Sequence, residues 1–302
     1  MKNTDEYGGA MDAPTSTEEL VTRLREANYI PDLGIATAAH LALALQRPLL
    51  LEGAPGTGKT ALAASLAEAF NIPLIRLQCY EGIDAHTALY DWDFARQILH
   101  LHSAKAYPDA HNRIDIESEL YTERFLLARP ILRALRESPA VLLIDEIDRA
   151  DDEFEALLLE VLSEYQISIP ELGTIQAAVP PIVVLTSNRT RELHDALRRR
   201  CLYHWIDHPT AQREIEILTA RIPEVSLQLT TRIVEIVQRL RMEKRLVKPP
   251  GVAETIDWAR AVYELGREDI DHEVATLTLG ALTKSREDAE YLRSVLEEQL
   301  EG

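Results

Sequence analysis

The sequence predicts a two-part fold: an α/β domain whose parallel sheet is flanked by helices, followed by an all-helical domain. Three observations predict it. Short apolar runs recur at 48–51, 72–77, 140–145 and 181–188 with helical patterns between them, the alternation that builds parallel sheets. The first run passes through a glycine-rich turn straight into the helical pattern ALAASLAEAF. After Pro209 the strand-like runs stop and helical patterns alone continue, which puts a domain boundary at 208–209. With 302 residues, 46% of them hydrophobic, the chain has material for two cores.

Residues 1–16 are polar and rich in Gly, Pro, Ser and Thr, so a disordered lead-in is expected. The α/β domain is expected over 17–208. It opens on a helix over 17–28, because Ser16 and Thr17 precede Glu19 as an N-cap signal and Leu20, Val21 and Leu24 recur at helical spacing. A second helix, 35–46, leads into the first strand. The all-helical domain, 209–302, reads as AQREIEILTARI, a helix over 230–242, AETIDWARAVYELG, and two more helices, the last an exposed acidic amphipathic one.

The glycine-rich turn lies within LLLEGAPGTGKT, residues 49–60. Gly53, Gly58, Lys59 and Thr60 fill every fixed position of G-x-x-x-x-G-K-[ST], with Ala54, Pro55, Gly56 and Thr57 between them. Strand, loop and helix follow in the order that a phosphate-binding loop requires. The glycines let backbone N–H groups turn toward phosphates, and the helix beginning near Lys59 aims its positive end at them. Lys59 is expected to reach the β and γ phosphates of ATP, and the Thr60 hydroxyl to ligate Mg²⁺.

VLLIDEID, residues 141–148, is an apolar strand ending in two adjacent carboxylates. Ligands bind at the tips of parallel strands. Asp145 is expected to hold Mg²⁺ with Thr60, and Glu146 to act as the general base on the attacking water. The run 181–188 ends in Thr186, Ser187 and Asn188, whose amide is placed to orient that water. Asn after a strand is also an ordinary turn residue. In RELHDALRRRC a helix from Arg191 ends in Arg198, Arg199 and Arg200. Basic residues there suit the helix dipole, and one of them, Arg200 or else Arg199, is the candidate for an arginine finger reaching a neighbouring subunit's site.

Composition narrows the partners. The formal charge of −18, from 50 acidic against 32 basic residues, opposes binding to a polyanion, so no nucleic-acid partner is expected. No apolar run approaches the roughly 18 residues of a membrane span and the polar start lacks a signal-peptide core, so a cytoplasmic location is expected. Cys79 and Cys201 are read as small apolar packing residues. His100 and His102 would share a face if HLH is a strand, but no third ligand stands at metal spacing, and a solvent-facing hairpin is expected there.

With the phosphate loop, the D-E pair, the asparagine-ended strand, the Arg-rich helix end and the helical domain in order, the chain resembles the AAA+ P-loop ATPases. More narrowly it resembles the MoxR family, and its DWDFARQ, LYTERFLLARPILRAL and SNRTRELHDALRRRC stretches resemble the CoxD-type branch. In that family residues 84–106 correspond to a helix-2 insert and 165–180 to a hairpin before the sensor 1 strand. The resemblance implies Walker A at Gly53–Thr60, Walker B at Asp145 and Glu146, sensor 1 at Asn188 and a finger at Arg200 or Arg199. The chain departs from the family where a sensor 2 arginine is usual: it reads PPGVAETIDWAR, with Ala253 or Glu254 near that position, leaving Lys248 or Arg260 as substitutes. The resemblance further implies an ATP- and Mg²⁺-dependent chaperone forming a homo-oligomeric, commonly hexameric, ring, with a von Willebrand A-domain partner and a molybdenum-containing hydroxylase as client metalloenzyme. Two alternatives are a nucleic-acid-dependent motor or loader of the same superfamily and a slow nucleotide-gated switch.

Overall fold

Side chains on the central strands alternate between two apolar layers, and this is why the strands read as unbroken hydrophobic runs. A computed structural model describes residues 14–106 and 119–300. Most of the expected lead-in, residues 1–13, lies outside the described residues. In chain order the strands are β1 (Leu49–Gly53), β2 (Leu74–Gln78), β3 (Tyr90–Trp92), β4 (Leu126–Ala128), β5 (Val141–Asp145), β6 (Gln166–Ile169), β7 (Gly173–Gln176), β8 (Ile182–Ser187) and β9 (Leu202–Ile206). The helices accompanying them are α1 (Thr17–Glu26), α2 (Leu33–Ala44), α3 (Lys59–Ala69), α4 (Ala85–Ala88), α5 (Phe94–Ala106), α6 (Pro130–Arg136), α7 (Asp152–Glu164) and α8 (Asp195–Arg200). Helices alone follow: α9 (Ala211–Arg221), α10 (Leu227–Arg241), α11 (Val252–Glu264), α12 (His272–Leu282) and α13 (Arg286–Leu300).

The main sheet has the order β2-β5-β8-β1-β9 and every pair in it is parallel. Leu49, Leu51, Val141, Leu143 and Val184 pack under α1, α2 and α3. Their neighbours in sequence, Leu50, Leu142, Ile144, Val183 and Leu185, pack on the other face under α6 and α7. Each such side chain contributes about 1.5–3 kcal/mol by leaving water, and burial on both faces fixes strand register. This is the parallel sheet flanked by helices that the sequence predicts.

Residues 84–106 hold α4, β3 and α5, with β3 paired antiparallel to β4, and β6 with β7 forms a hairpin within 165–180. The expectation of a hairpin at HLH is corrected: His100 and His102 lie on α5. Asp93 starts that helix by accepting the Arg96 N–H on its carboxylate and the Gln97 N–H on its carbonyl. His100 then meets Glu119 at 3.0 Å, so it faces an acid and the Phe125 ring rather than open solvent. The helix expected from Arg191 begins instead at Asp195, because Arg191 is drawn onto the Ala150 carbonyl and the buried Glu155 carboxylate.

The C-terminal helices enclose a core of their own around Trp258, Ile233, Val237, Leu240 and Leu279. At its edge the fully buried Glu214 carboxylate accepts both Arg241 Nη atoms at 2.6 and 2.7 Å, Gln238 Nε2 at 2.8 Å and Thr255 Oγ1 at 2.8 Å. Every lone pair of a buried acid is thus used, which is the condition for tolerating one. Gln238 also donates to the Pro209 carbonyl and Arg241 to the Pro250 carbonyl, so the network ties the chain just before α9 to the chain just before α11. Among the described residues no helix is long and apolar enough to cross a membrane.

Candidate active site

Because β1, β5 and β8 run parallel and in register, their tips at Gly53, Asp145 and Ser187 come out along one edge of the sheet. The loops leaving those tips border a pocket of about 420 Å³, a size suited to a small-molecule ligand. Its lining includes Pro55, Gly56, Thr57, Gly58, Lys59 and Thr60 from one loop, and Asp145, Glu146 and Asn188 from the other two. Gly53 and Ala54 support the loop from behind.

The loop has the conformation an anion cradle needs. Gly56 and Gly58 have φ of 75° and 96°, the left-handed region in which side chains are strained. Thr57 Oγ1 donates to the Ala54 carbonyl at 2.9 Å and braces the turn. Helix α3 then starts from Gly58 without a side-chain cap, whereas Ser16, Asp32, Thr210 and Ser226 cap α1, α2, α9 and α10. The first N–H groups of α3 thus carry no side-chain cap, and their partial positive charge suits phosphate oxygens. Lys59 is buried and donates from Nζ to the Gly53 and Ala54 carbonyls at 2.8 and 2.7 Å. Burial lowers its pKa while the carboxylates of Asp148, Asp145 and Glu146 pull the other way.

Thr60 Oγ1 lies 3.0 Å from Asp145 Oδ1, which also accepts the Thr186 hydroxyl, and Arg76 Nη2 lies 2.5 Å from Oδ2. A hydroxyl beside a carboxylate is a hard oxygen pair of the kind Mg²⁺ takes, so these residues fit the metal. Glu146 follows in a left-handed backbone conformation, φ 56°. Its carboxylate accepts Asn188 Nδ2 and Gln78 Nε2, both at 3.2 Å, and pairs with Arg149 Nε at 2.8 Å. The predicted base and the predicted water-orienting amide are therefore in direct contact.

Asp148, the β2 residues Arg76 and Gln78, and one face of α9 contribute to the site without being legible in the sequence. Asp148, within the quoted VLLIDEID, is buried and accepts the Asn188 N–H at 3.1 Å, the Thr190 N–H at 2.8 Å and Thr190 Oγ1 at 2.7 Å. Burial would raise its pKa, but these hydrogen bonds prevail and hold it below the ordinary carboxylate range. Arg76 and Gln78 reach the site from β2. Arg213, Ile217 and Arg221, at four-residue spacing on α9, present one helix face to the pocket. The start of α11 closes it with Val252, Ala253 and Ile256. Neither Lys248 nor Arg260 is part of that wall, and Glu254 is turned back onto the Gly251 N–H at 3.0 Å.

Arg198, Arg199 and Arg200 end α8 away from this pocket. Arg200 Nη1 donates to the Leu159 carbonyl at 2.9 Å, Arg198 lies over the Tyr203 ring at 5.9 Å, and Arg47 anchors the Arg199 and Arg200 carbonyls at 2.6 and 3.0 Å. Burial pushes the Cys79 and Cys201 thiols up to about 12, which keeps both protonated and inert at neutral pH.

A family model described as the AAA domain, dynein-related subfamily, matches residues 48–201. The chain is 26% identical over 228 residues to an uncharacterised protein of Staphylococcus aureus strain bovine RF122 / ET3-1, covering 73% of this chain and 77% of the relative. A second such protein, from Staphylococcus aureus strain COL, is 25% identical over the same 228 residues, with coverage of 73% and 77%. Among solved structures, the RuvB Holliday junction branch migration motor of Thermotoga maritima is similar, with TM-score 0.46, 18% identity, and 94% of this chain and 78% of that chain covered. A mutant of that RuvB gives TM-score 0.48 and 19% identity, covering 96% and 81%.

Proposed function

This chain belongs to the AAA domain family, dynein-related subfamily, and on that premise we propose that it is a Mg²⁺-dependent ATPase that remodels a protein client from within a homo-oligomeric ring. The observation that carries the reading is the meeting of Lys59, Thr60, Asp145, Glu146 and Asn188 around one pocket whose helix start is bare of a cap. In this reading Lys59 and the first N–H groups of α3 hold the phosphates of ATP. Thr60 and Asp145 hold Mg²⁺, which when bound neutralises phosphate charge as it is transferred. Asn188 orients the attacking water and Glu146 takes its proton while the bond from the γ phosphorus to its bridging oxygen breaks. Arg200, or else Arg199, stabilises the transferring group in the neighbouring subunit's site.

The finer assignment follows the resemblance to the MoxR family and its CoxD-type branch: a maturation chaperone for a molybdenum-containing hydroxylase, working with a von Willebrand A-domain protein. The deciding experiment is capture with Glu146→Gln, which retains ATP, from a lysate of the source organism. ATP-dependent recovery of a von Willebrand A-domain protein or a hydroxylase subunit is expected. Recovery of replication or repair proteins, together with stimulation of hydrolysis by DNA at physiological salt, would replace this role with that of a nucleic-acid motor.

The three donors on the Glu146 carboxylate favour one second reading, a nucleotide-gated switch, since a base so engaged turns over slowly. A wild-type hydrolysis rate no higher than that of Glu146→Gln would establish it. The remodelling reading requires hydrolysis that rises with protein concentration as the ring assembles.

A further inference from the structure

The outer strand β2 carries two polar side chains on one face. Ile75 and Leu77 enter the core, so strand alternation leaves Arg76 and Gln78 together on the opposite side. Register pairs Gln78 with Asp145, which brings both side chains to the tip of β5. Each takes one carboxylate: Arg76 Nη2 is 2.5 Å from Asp145 Oδ2 and Gln78 Nε2 is 3.2 Å from Glu146 Oε2. Arg76 Nη2 also donates to Gln78 Oε1 at 2.6 Å, so the two act as one clamp. The Asp145 side chain is 5% exposed and that of Arg76 53%, which sets a fixed cation at the mouth of the pocket above the carboxylate. Asp145 Oδ1 is already engaged by Thr60 and Thr186, so Oδ2 is the oxygen that the guanidinium holds.

We infer that Arg76 is a positioning residue that serves as counter-ion to Asp145 in the metal-free site, is displaced when Mg²⁺ enters with the nucleotide, and so sets the Mg²⁺ concentration the site requires. The inference rests on the ATPase reading above. Two physical effects act in the same direction: the guanidinium competes for a carboxylate oxygen, and its charge repels an incoming dication. Removing it lowers the Mg²⁺ requirement, even though it removes a residue from the site. Because Arg76 is half-exposed at a sheet edge, its replacement leaves the core intact.

The test titrates Mg²⁺ into the full chain with a fluorescent ATP analogue at fixed concentration, reading binding rather than turnover. Arg76→Ala is expected to lower the half-saturating Mg²⁺ concentration about two- to fivefold, on the scale of a partly exposed charge contact. Arg76→Lys, which keeps the charge, is expected to stay near wild type. An unchanged or raised Mg²⁺ requirement in Arg76→Ala would overturn the inference, as would an equal shift in Arg76→Lys. Wild-type protein that binds no analogue at any Mg²⁺ concentration, or Lys59→Ala that binds it equally well, would instead remove the ATPase reading on which the inference stands.

Discussion

Gly251 lies so close to Gly56 that a Cβ added to it would come within 2.9 Å of the Gly56 Cα. The same Cβ would meet the Pro55 carbonyl oxygen at 2.9 Å, and the Val252 N–H donates to the Gly56 carbonyl at 2.9 Å. The helical region is thus seated directly on the phosphate loop, glycine against glycine. Gly251→Ala is expected to force the two apart, weakening binding of a fluorescent ATP analogue at least tenfold, with a stability cost of about 1–3 kcal/mol from overpacking. Gly280→Ala is the control: at an exposed position of α12, with nothing near its Cβ, it is expected to raise stability by about 0.5–1 kcal/mol and leave binding unchanged.

Arg200→Ala tests the finger. Among the described residues the Arg200 side chain donates to the Leu159 carbonyl in the middle of α7, outside the pocket lining, so nucleotide binding should persist. Steady-state hydrolysis of the assembled protein is expected to fall at least a hundredfold, the lower range of finger effects. Unchanged turnover would transfer the role to Arg199.

The Glu214–Arg241 pair predicts a non-additive result. Arg241→Met leaves a fully buried carboxylate with only Gln238 and Thr255 as donors, and should cost about 3–5 kcal/mol in denaturant unfolding. Pairing it with Glu214→Leu removes the stranded charge and should return most of that loss. Equal destabilisation in single and double variants would mean that the network matters through its shape.

His208 predicts a pH dependence. Burial lowers its pKa, Arg241 lowers it further, and Glu214, Asp207 and Glu254 oppose this; its Nδ1 has no partner among the described residues. The unfolded chain, titrating near 6.5, then takes up the proton before the folded one. The contribution is whole above pH of about 6.5 and is lost as pH falls from there toward the lower folded value. His208→Gln is expected to flatten the decline of the thermal midpoint over that interval, and an identical decline in wild type and variant would remove His208 as its cause.

What could be read from the sequence was what local spacing encodes. Gly53–Thr60, Asp145, Glu146 and Asn188 each sit at the end of an apolar run, and a parallel sheet brings such ends together whatever the loops do. Arg76, Gln78, Arg213 and Arg221 were invisible because each lies inside a regular element, and only tertiary placement turns its face to the pocket. Lys248 and Arg260 were named from proximity in sequence to the helix that closes the site, yet α11 meets the loop through its bare glycine end. Alternation over the three residues of HLH fits either a strand or a helix, and the Asp93 cap decides for helix.

The Glu214 network spans from the Pro209 carbonyl, just before α9, to the Pro250 carbonyl, one residue before the contact with the phosphate loop. It therefore acts as a strut that holds the start of α11 where it meets the phosphate loop. In such a part stiffness and folding stability share a single origin, so a substitution that softens the strut also loosens the helical core it is built into. Variants that loosen this network should accordingly be found by their lowered melting temperature before they are found by altered turnover.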